Sequence, residues 1–211
     1  MKVIRVVFAA VVLVPALAAC GRSPSPAPSE TSQTAPAAVA PSAVLPAAAP
    51  EQVVADLYAA LASLRPSGAP TESQRATLAP MLSGGLAALL QRADAARAAA
   101  RAAAPTEKPP FAAGDLCSSL FEGPTAHAVG KAVSAADAPG GRLGDLRVPV
   151  ALTHVADAAV GGKATTWTDT VLLREENGRF VVADIVFGGD WDFANKGRMV
   201  SALRAGLGEQ G

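Results

Sequence analysis

Apolar and polar positions alternate most clearly between residues 164 and 187, where Trp167, Asp169, Val171 and Leu173 share one face and Thr166, Thr168, Thr170 and Leu172 the other. Two β-rich runs flank Asn177-Gly178, the pair best able to supply the positive φ angles of a tight turn, so this stretch predicts a β-hairpin. Trp167, Phe180, Phe187, Trp191 and Phe193 all fall in or just beyond it, which makes the tryptophan face the inner one. Trp167 is then the central aromatic of the core, and Asp169 the expected acceptor for its indole N–H. Two registers are open. A two-residue loop sets Glu176 opposite Arg179 and brings Asp184 onto the Trp167 face, diagonal to Asp169 at about 7 to 8 Å between Cα atoms. A three-residue loop, Glu176-Asn177-Gly178 with Gly178 left-handed, lines that face with Val181, Ala183, Ile185 and Phe187 and turns Asp184 outward. The second gathers more apolar side chains inward and desolvates no second acid, and is the expected register.

Upstream the period changes to that of a helix. Val53, Val54, Leu57, Tyr58, Leu61 and Leu64 form one apolar face closed by Pro66 and Gly68. Thr71-Glu72-Ser73-Gln74 reads as a capping box for a short second helix that Pro80 ends. Ser83 caps a third helix running through Leu86, Leu89, Leu90 and Ala93 to Ala104. Its Arg92, Arg97 and Arg101 read as a solvated face, with an anion or lipid-headgroup patch as the alternative. Asp115 is expected to cap one helical turn, Leu116 to Phe121, that tucks Leu116, Leu120 and Phe121 inward. Residues 125–134 and 146–155 read as strands, and Asn195 as the cap of a last helix carrying Val200, Leu203 and Leu207. The order predicts an α+β fold: N-terminal helices packed on a curved antiparallel sheet, cone-like or cystatin-like, with a short C-terminal helix.

The first fifty residues carry a different pattern. Lys2 and Arg5 precede an apolar run from Val6 to Leu17, too short for a comfortable span of about 20 residues, and Leu17-Ala18-Ala19-Cys20 follows. These four residues resemble the bacterial lipobox. That resemblance implies a leader over 1–19, a diacylglyceryl thioether and acylated amino group at Cys20, and a membrane partner reached through the acyl chains. It places the protein in a bacterial cell envelope, facing the periplasm. Gly21 where an aspartate would favour the inner membrane points to the outer one. Residues 20–50, rich in Pro, Ala and Ser, bury too little to fold and read as a tether, with a single domain over 51–208. The chain holds 18 basic and 18 acidic residues. Removing Lys2 and Arg5 leaves 16 against 18, a net of −2, which does not steer toward nucleic acid. With Cys20 lipidated, Cys117 is left without a thiol to pair with and reads as a buried small hydrophobe.

The helix-to-sheet layout, Leu82-Ser-Gly-Gly-Leu86-Ala-Ala-Leu-Leu, Phe111-Ala-Ala-Gly-Asp115 and the strand Gly178-Arg-Phe-Val-Val-Ala-Asp184-Ile-Val resemble the cone-shaped superfamily of ketosteroid isomerase and nuclear transport factor over residues 50–207. Within it the chain is most similar to bacterial secreted or lipoprotein domains of unknown function. Isomerase chemistry in that superfamily implies an acid as base with a tyrosine and a protonated acid as oxyanion donors. The only tyrosine here is Tyr58, on the first helix.

Val148, Val150 and Leu152 put His154 on their own apolar side, so His154 and Asp169 are both expected to look inward, and Trp167, Asp169, Asp184 and His154 are the pocket candidates. A histidine beside an acid in an apolar pocket suits proton abstraction. Gly188 to Asn195 looks briefly like a calcium loop, but Ala194 and Asn195 stand where a ligand and the glycine belong and no glutamate closes it. His127, His154 and Cys117 lack metal-ligand spacing, and no phosphate loop or serine elbow is present, so no metal or cofactor is expected. The expectation is a lipid-anchored envelope module that binds a small apolar ligand or a protein partner without catalysis. The alternatives are a small enzyme of the ketosteroid-isomerase-like superfamily using His154 with Asp169, and an envelope assembly or immunity accessory. An open pocket reaching Asp169 favours ligand or enzyme; a filled interior favours protein interaction.

Overall fold

The computed structural model describes residues 48–136, 142, 144–156 and 161–209; the leader, Cys20 and the tether as far as residue 47 lie outside them. Helix α1 spans Pro50–Leu64, with proline in the first turn, where a missing N–H costs nothing, and ends at Arg65 in the left-handed region at φ 43°. Its buried face is Val53, Val54, Leu57, Tyr58 and Leu61. The capping box closes α2, Glu72–Leu78: Gln74 N donates to Thr71 Oγ1 at 3.5 Å and Thr71 N donates to Gln74 Oε1 at 2.9 Å. A short 3-10 turn, Ala79–Met81, carries Pro80. Helix α3 spans Gly84–Ala103, its N-cap Ser83 accepting from Leu86 N at 3.1 Å.

The chain then enters an antiparallel sheet of β1 (Ala126–Val129), β2 (Val133–Ser134), β3 (Leu146–Val155), β4 (Ala164–Glu176) and β5 (Arg179–Val186), and ends in helix α4, Met199–Gly206. The strand order is β1-β3-β4-β5, with β2 pairing farther along β3. Among the described residues the fold is α+β, four α-helices with an open five-stranded antiparallel sheet, as the pattern predicts. Among the described residues no helix is long and apolar enough to cross a membrane. The core joins α1, α2 and α3 to one face of the sheet, with Val148, Val150, Leu152, Trp167, Val171, Leu173, Val182, Ile185 and Phe187 beneath them.

Residues 125–134 form two short strands rather than one, and proline is the reason. Gly130 N donates to Pro149 O at 2.8 Å, but Pro149 has no N–H to return, so the ladder that pairs Val129 with Val150 stops there. Residues 116–121 are turns and bends, not a helical turn; Leu120 is buried, while Phe121 is 52% exposed instead of tucked inward.

The hairpin departs from the expected register in one respect and meets it in another. Its loop has two residues: Asn177 and Gly178 sit at φ 54° and 75°, and Glu176 faces Arg179. Farther along, Leu173 pairs with Val182 but Leu172 with Asp184, so Ala183 is the extra residue of a β-bulge. That one residue reverses the parity of everything beyond it. Asp184 therefore leaves the Trp167 face, Ile185 and Phe187 return to it, and Val181 and Ala183 do not line it as a three-residue loop would have required. The physical reason is the one that favoured an outward Asp184, the cost of a second acid in an apolar layer, met by a bulge in the strand instead of a longer loop.

Trp167 is 7% exposed and meets Trp191 edge-on at 5.7 Å between ring centroids, while Thr166 and Thr168 on the other face are exposed. Trp167→Ala is expected to lose about 3 to 5 kcal/mol in urea denaturation, and Thr168→Ala about 1 kcal/mol or less. Equal small losses would mean that the two faces are reversed.

Candidate functional site

Asp169 is completely buried, and its carboxylate is fully subscribed. Oδ2 accepts from Ser119 N at 2.9 Å and from the Trp167 indole at 3.1 Å; Oδ1 accepts from Gly188 N at 2.9 Å and from the Ser119 hydroxyl. The indole bond is the one expected from the strand alternation. Four donors leave no lone pair for a substrate or for a histidine. His154 does share the face, but it pairs with Thr165 while Asp169 pairs with Val150. Four residues of strand, about 13 Å at 3.3 Å per residue, separate them. Trp167, opposite Leu152, stands between. The structure does not bring His154 and Asp169 together as a base pair.

Asp184 has the corresponding role on the other face. Oδ1 accepts from Ile185 N at 2.8 Å and from Val200 N at 2.9 Å, and Oδ2 accepts from Arg198 Nε at 2.7 Å. Val200 is in the first turn of α4, so a carboxylate sixteen residues upstream caps that helix. The expected cap, Asn195, is employed elsewhere: its Nδ2 donates to Ser118 O at 2.7 Å and Asp115 O at 3.3 Å. Negative charge at a helix N-terminus is favourable, and a strand supplies it here.

His154 lines a cleft of about 510 Å³ at the β1–β3 end of the sheet, between α1 and the segment 114–127. Trp167, Asp169 and Asp184 do not line it. Its walls are Leu61, Ala62, Pro66, Phe121 and Pro124, and its polar groups include Tyr58, Asp115, His127 and His154. Both histidines of the chain meet there. The Tyr58 and His127 rings lie 5.5 Å apart, tilted by 31°.

Gly123 organises the polar side. Its carbonyl lies 2.7 Å from His154 Nδ1; a carbonyl only accepts, so Nδ1 carries the hydrogen and Nε2 is the nitrogen left over. A Cβ on Gly123 would come within 2.5 Å of Asp115 Oδ2, and its φ of 73° disfavours any side chain as well. Asp115 and His154 thus both close on one glycine. Asp115 Oδ1 accepts from Cys117 N at 2.7 Å, a local turn bond in place of a helix cap.

The electrostatics follow from burial. Desolvation pushes the Asp115 carboxyl up to about 6, against the Cys117 amide, which lowers it, and with help from the negative charge of Asp169. Tyr58 is raised well above the usual phenol range, by burial first and then by Asp169, Cys117 and Asp115, so it stays a neutral hydroxyl. That hydroxyl is buried with no hydrogen-bond partner among the described residues. Burial also pushes the Cys117 thiol far up, which makes it inert, in keeping with a small buried hydrophobe. Among the described residues no three acid, His or Cys side chains are placed to hold a metal ion. The cleft can therefore hold an apolar body and meet a polar atom with an imidazole nitrogen and a carboxyl that changes charge near pH 6.

Of the four residues expected to line a pocket, only His154 does so at this cleft. His127 and Asp115 were passed over, one for lack of metal spacing and one as a helix cap. Gly114, Gly123 and the left-handed Phe111 that shape the Asp115 segment are tertiary features. Compared with models of known protein families, with characterised proteins and with solved structures, the chain matches none.

The raised Asp115 carboxyl has a consequence for stability. Between pH ~4 and ~6 the folded state holds a proton that the unfolded chain has released, so this group's contribution is fully present below pH ~4 and is lost as pH rises to ~6. Asp115→Asn keeps an oxygen for Cys117 N and has no such loss. It is expected to be more stable than the parent at pH 7, by about 1 to 3 kcal/mol, and equal to it at pH 4. Urea midpoints from pH 4 to 7 measure this; parallel curves for the two proteins would contradict the burial of Asp115.

Proposed function

We propose that this protein is a lipid-anchored component of a bacterial cell envelope whose folded domain holds a small, mostly apolar ligand in the cleft lined by Tyr58, Asp115, His127 and His154. The anchor is Cys20, the tether 20–50 carries the domain away from the bilayer, and the domain faces the periplasm from the outer membrane. On its helix-and-sheet layout the domain is read as a relative of the cone-shaped superfamily of ketosteroid isomerase and nuclear transport factor.

The observation that carries the reading is the cleft itself. About 510 Å³ is the size of a small-molecule site, and apolar side chains such as Leu61, Pro66 and Phe121 share its walls with polar ones, Arg65 and Glu122 among them. The leftover nitrogen of the half-buried His154 favours a ligand with one hydroxyl or amino group. Binding is favoured over catalysis because Asp169, the acid that a proton-transfer pair with His154 would need, is committed to Ser119, Trp167 and Gly188.

The anchor and the cleft are tested separately. Cys20→Ala is expected to move the protein out of the membrane pellet or leave it unprocessed, with no acyl mass at residue 20; unchanged fractionation would exclude the anchor. For the cleft, 2-naphthol serves as a probe through its fluorescence. Ala62 is an exposed residue on the cleft wall, so Ala62→Trp is expected to fill the space without touching the core, weakening naphthol binding at least tenfold at unchanged Tm. Equal binding by both proteins would rule the cleft out.

A further inference from the structure

A second groove, of about 470 Å³, lies away from that cleft, where α3 and α4 meet the Leu172–Asp184 side of the hairpin. Four arginines line it: Arg92 from α3, Arg174 from β4, Arg198 just before α4, and Arg204 within it. They divide into two kinds. Arg174 pairs with Asp145, both contacts at 3.3 Å, and Arg198 pairs with Asp184 at 2.7 Å. Both acids are buried, at 8% and 5% exposure, so these pairs are permanent parts of the floor. Arg92 and Arg204 are different. Arg204 is exposed and has no ion-pair partner among the described residues, and Arg92, half exposed, pairs only with Glu209.

Glu209 belongs to the segment that follows α4, where its amide donates to Arg204 O at 2.9 Å. Its backbone thus lies against one rim arginine while its carboxylate meets the other. An ion pair this exposed is weak and readily exchanged. The groove therefore holds two fixed neutral pairs, two rim guanidiniums, and one carboxylate that can leave. Leu86, Leu89, Leu172 and Val200 supply apolar floor beside them. The amides that open α3 are already engaged, since Glu176 accepts from Gly84 N and Ser83 Oγ from Leu86 N.

We propose that this groove docks an acidic segment of a partner protein, a glutamate or aspartate beside an apolar residue, gripped by Arg92 and Arg204, and that Glu209 is the resident competitor for the same place. A peptide is favoured because the present occupant is itself a peptide carboxylate set against an apolar floor. A planar guanidinium grips a carboxylate through two parallel N–H bonds, which suits both rim residues to the task. The groove is independent of the ligand cleft; failure of either leaves the other standing.

The test uses the full chain in detergent and a capped, fluorescein-labelled Leu-Glu-Leu-Glu peptide followed by anisotropy. Glu209→Gln is expected to bind it at least fivefold tighter than the parent, and Arg92→Gln with Arg204→Gln at least tenfold more weakly than Glu209→Gln. Both variants should melt within a degree or two of the parent, because the altered side chains are exposed or half exposed. Inorganic phosphate and phosphatidylglycerol vesicles form the other arms. Loss of peptide binding in the double variant, with vesicle binding unchanged, supports the proposal. Peptide binding that ignores Arg92 and Arg204, no peptide binding by Glu209→Gln, or arginine-dependent binding of vesicles or phosphate alone would overturn it.

Discussion

A carboxylate placed where no water reaches must find donors in the protein, and Asp169 is that constraint here. Its partners are Ser119, Trp167 and Gly188, one each from the segment before β1, from β4 and from the loop after β5. The first and last have no strand or helix of their own to satisfy their amides. They are held because the acid needs them as much as they need it: an unpaired buried carboxylate costs several kcal/mol, and hydrogen bonds to charged groups contribute about 1.5 to 3 kcal/mol each. The same meeting point is reinforced where Ser119 Oγ accepts from Gly189 N at 2.9 Å and Asn195 N donates to Ser119 O at 2.8 Å.

One residue of bulge separates this arrangement from a strained one. Without Ala183 as an extra residue, the pairing that starts at Glu176 and Arg179 would carry Asp184 onto the Trp167 face. Two acids would then compete for the donors of one apolar layer. With it, Asp184 turns to the opposite face, takes Arg198, and caps α4 through Val200 N. The two acids of the hairpin thus tie down separate parts of the chain, Asp169 the loops at the end of the inner face and Asp184 the last helix.

The cleft depends on the first of these anchors. The segment that Asp169 pins through Ser119 also carries Asp115, Phe121 and Gly123, and Gly123 in turn orients His154. A binding site on irregular backbone is otherwise at the mercy of loop motion; here its wall hangs from a buried charge. The groove on the other side depends on the second anchor, because the Asp184–Arg198 pair forms part of its floor.

Helices α1, α2 and α3, their caps at Thr71 and Ser83, strand β3 and the faces of β4 were all legible in the sequence, because local periodicity and cap chemistry decide them. The Trp167–Asp169 bond was legible too, since strand alternation alone sets two such side chains side by side. Where partners lie far apart in the chain, local pattern carried no information. Nothing near Ala183 signals a bulge, because a bulge answers the burial of the paired strand and not a preference of its own residues. Asn195 looked like a cap, but α4 found a stronger one in Asp184, which only folding brings near. Asp115 looked like a cap as well, and it became a cleft residue once Gly123 and His154 were folded against it. The sequence by itself determined helices α1 to α3, strands β3 and β4 and the apolar faces of those elements, but not the turns of 116–121, the break in 125–134 or the inner face of β5. The tertiary structure alone decided which buried acid meets which donor, and so where the cleft and the groove lie, because that depends on contacts between residues far apart in the chain, fifty positions for Ser119 and Asp169.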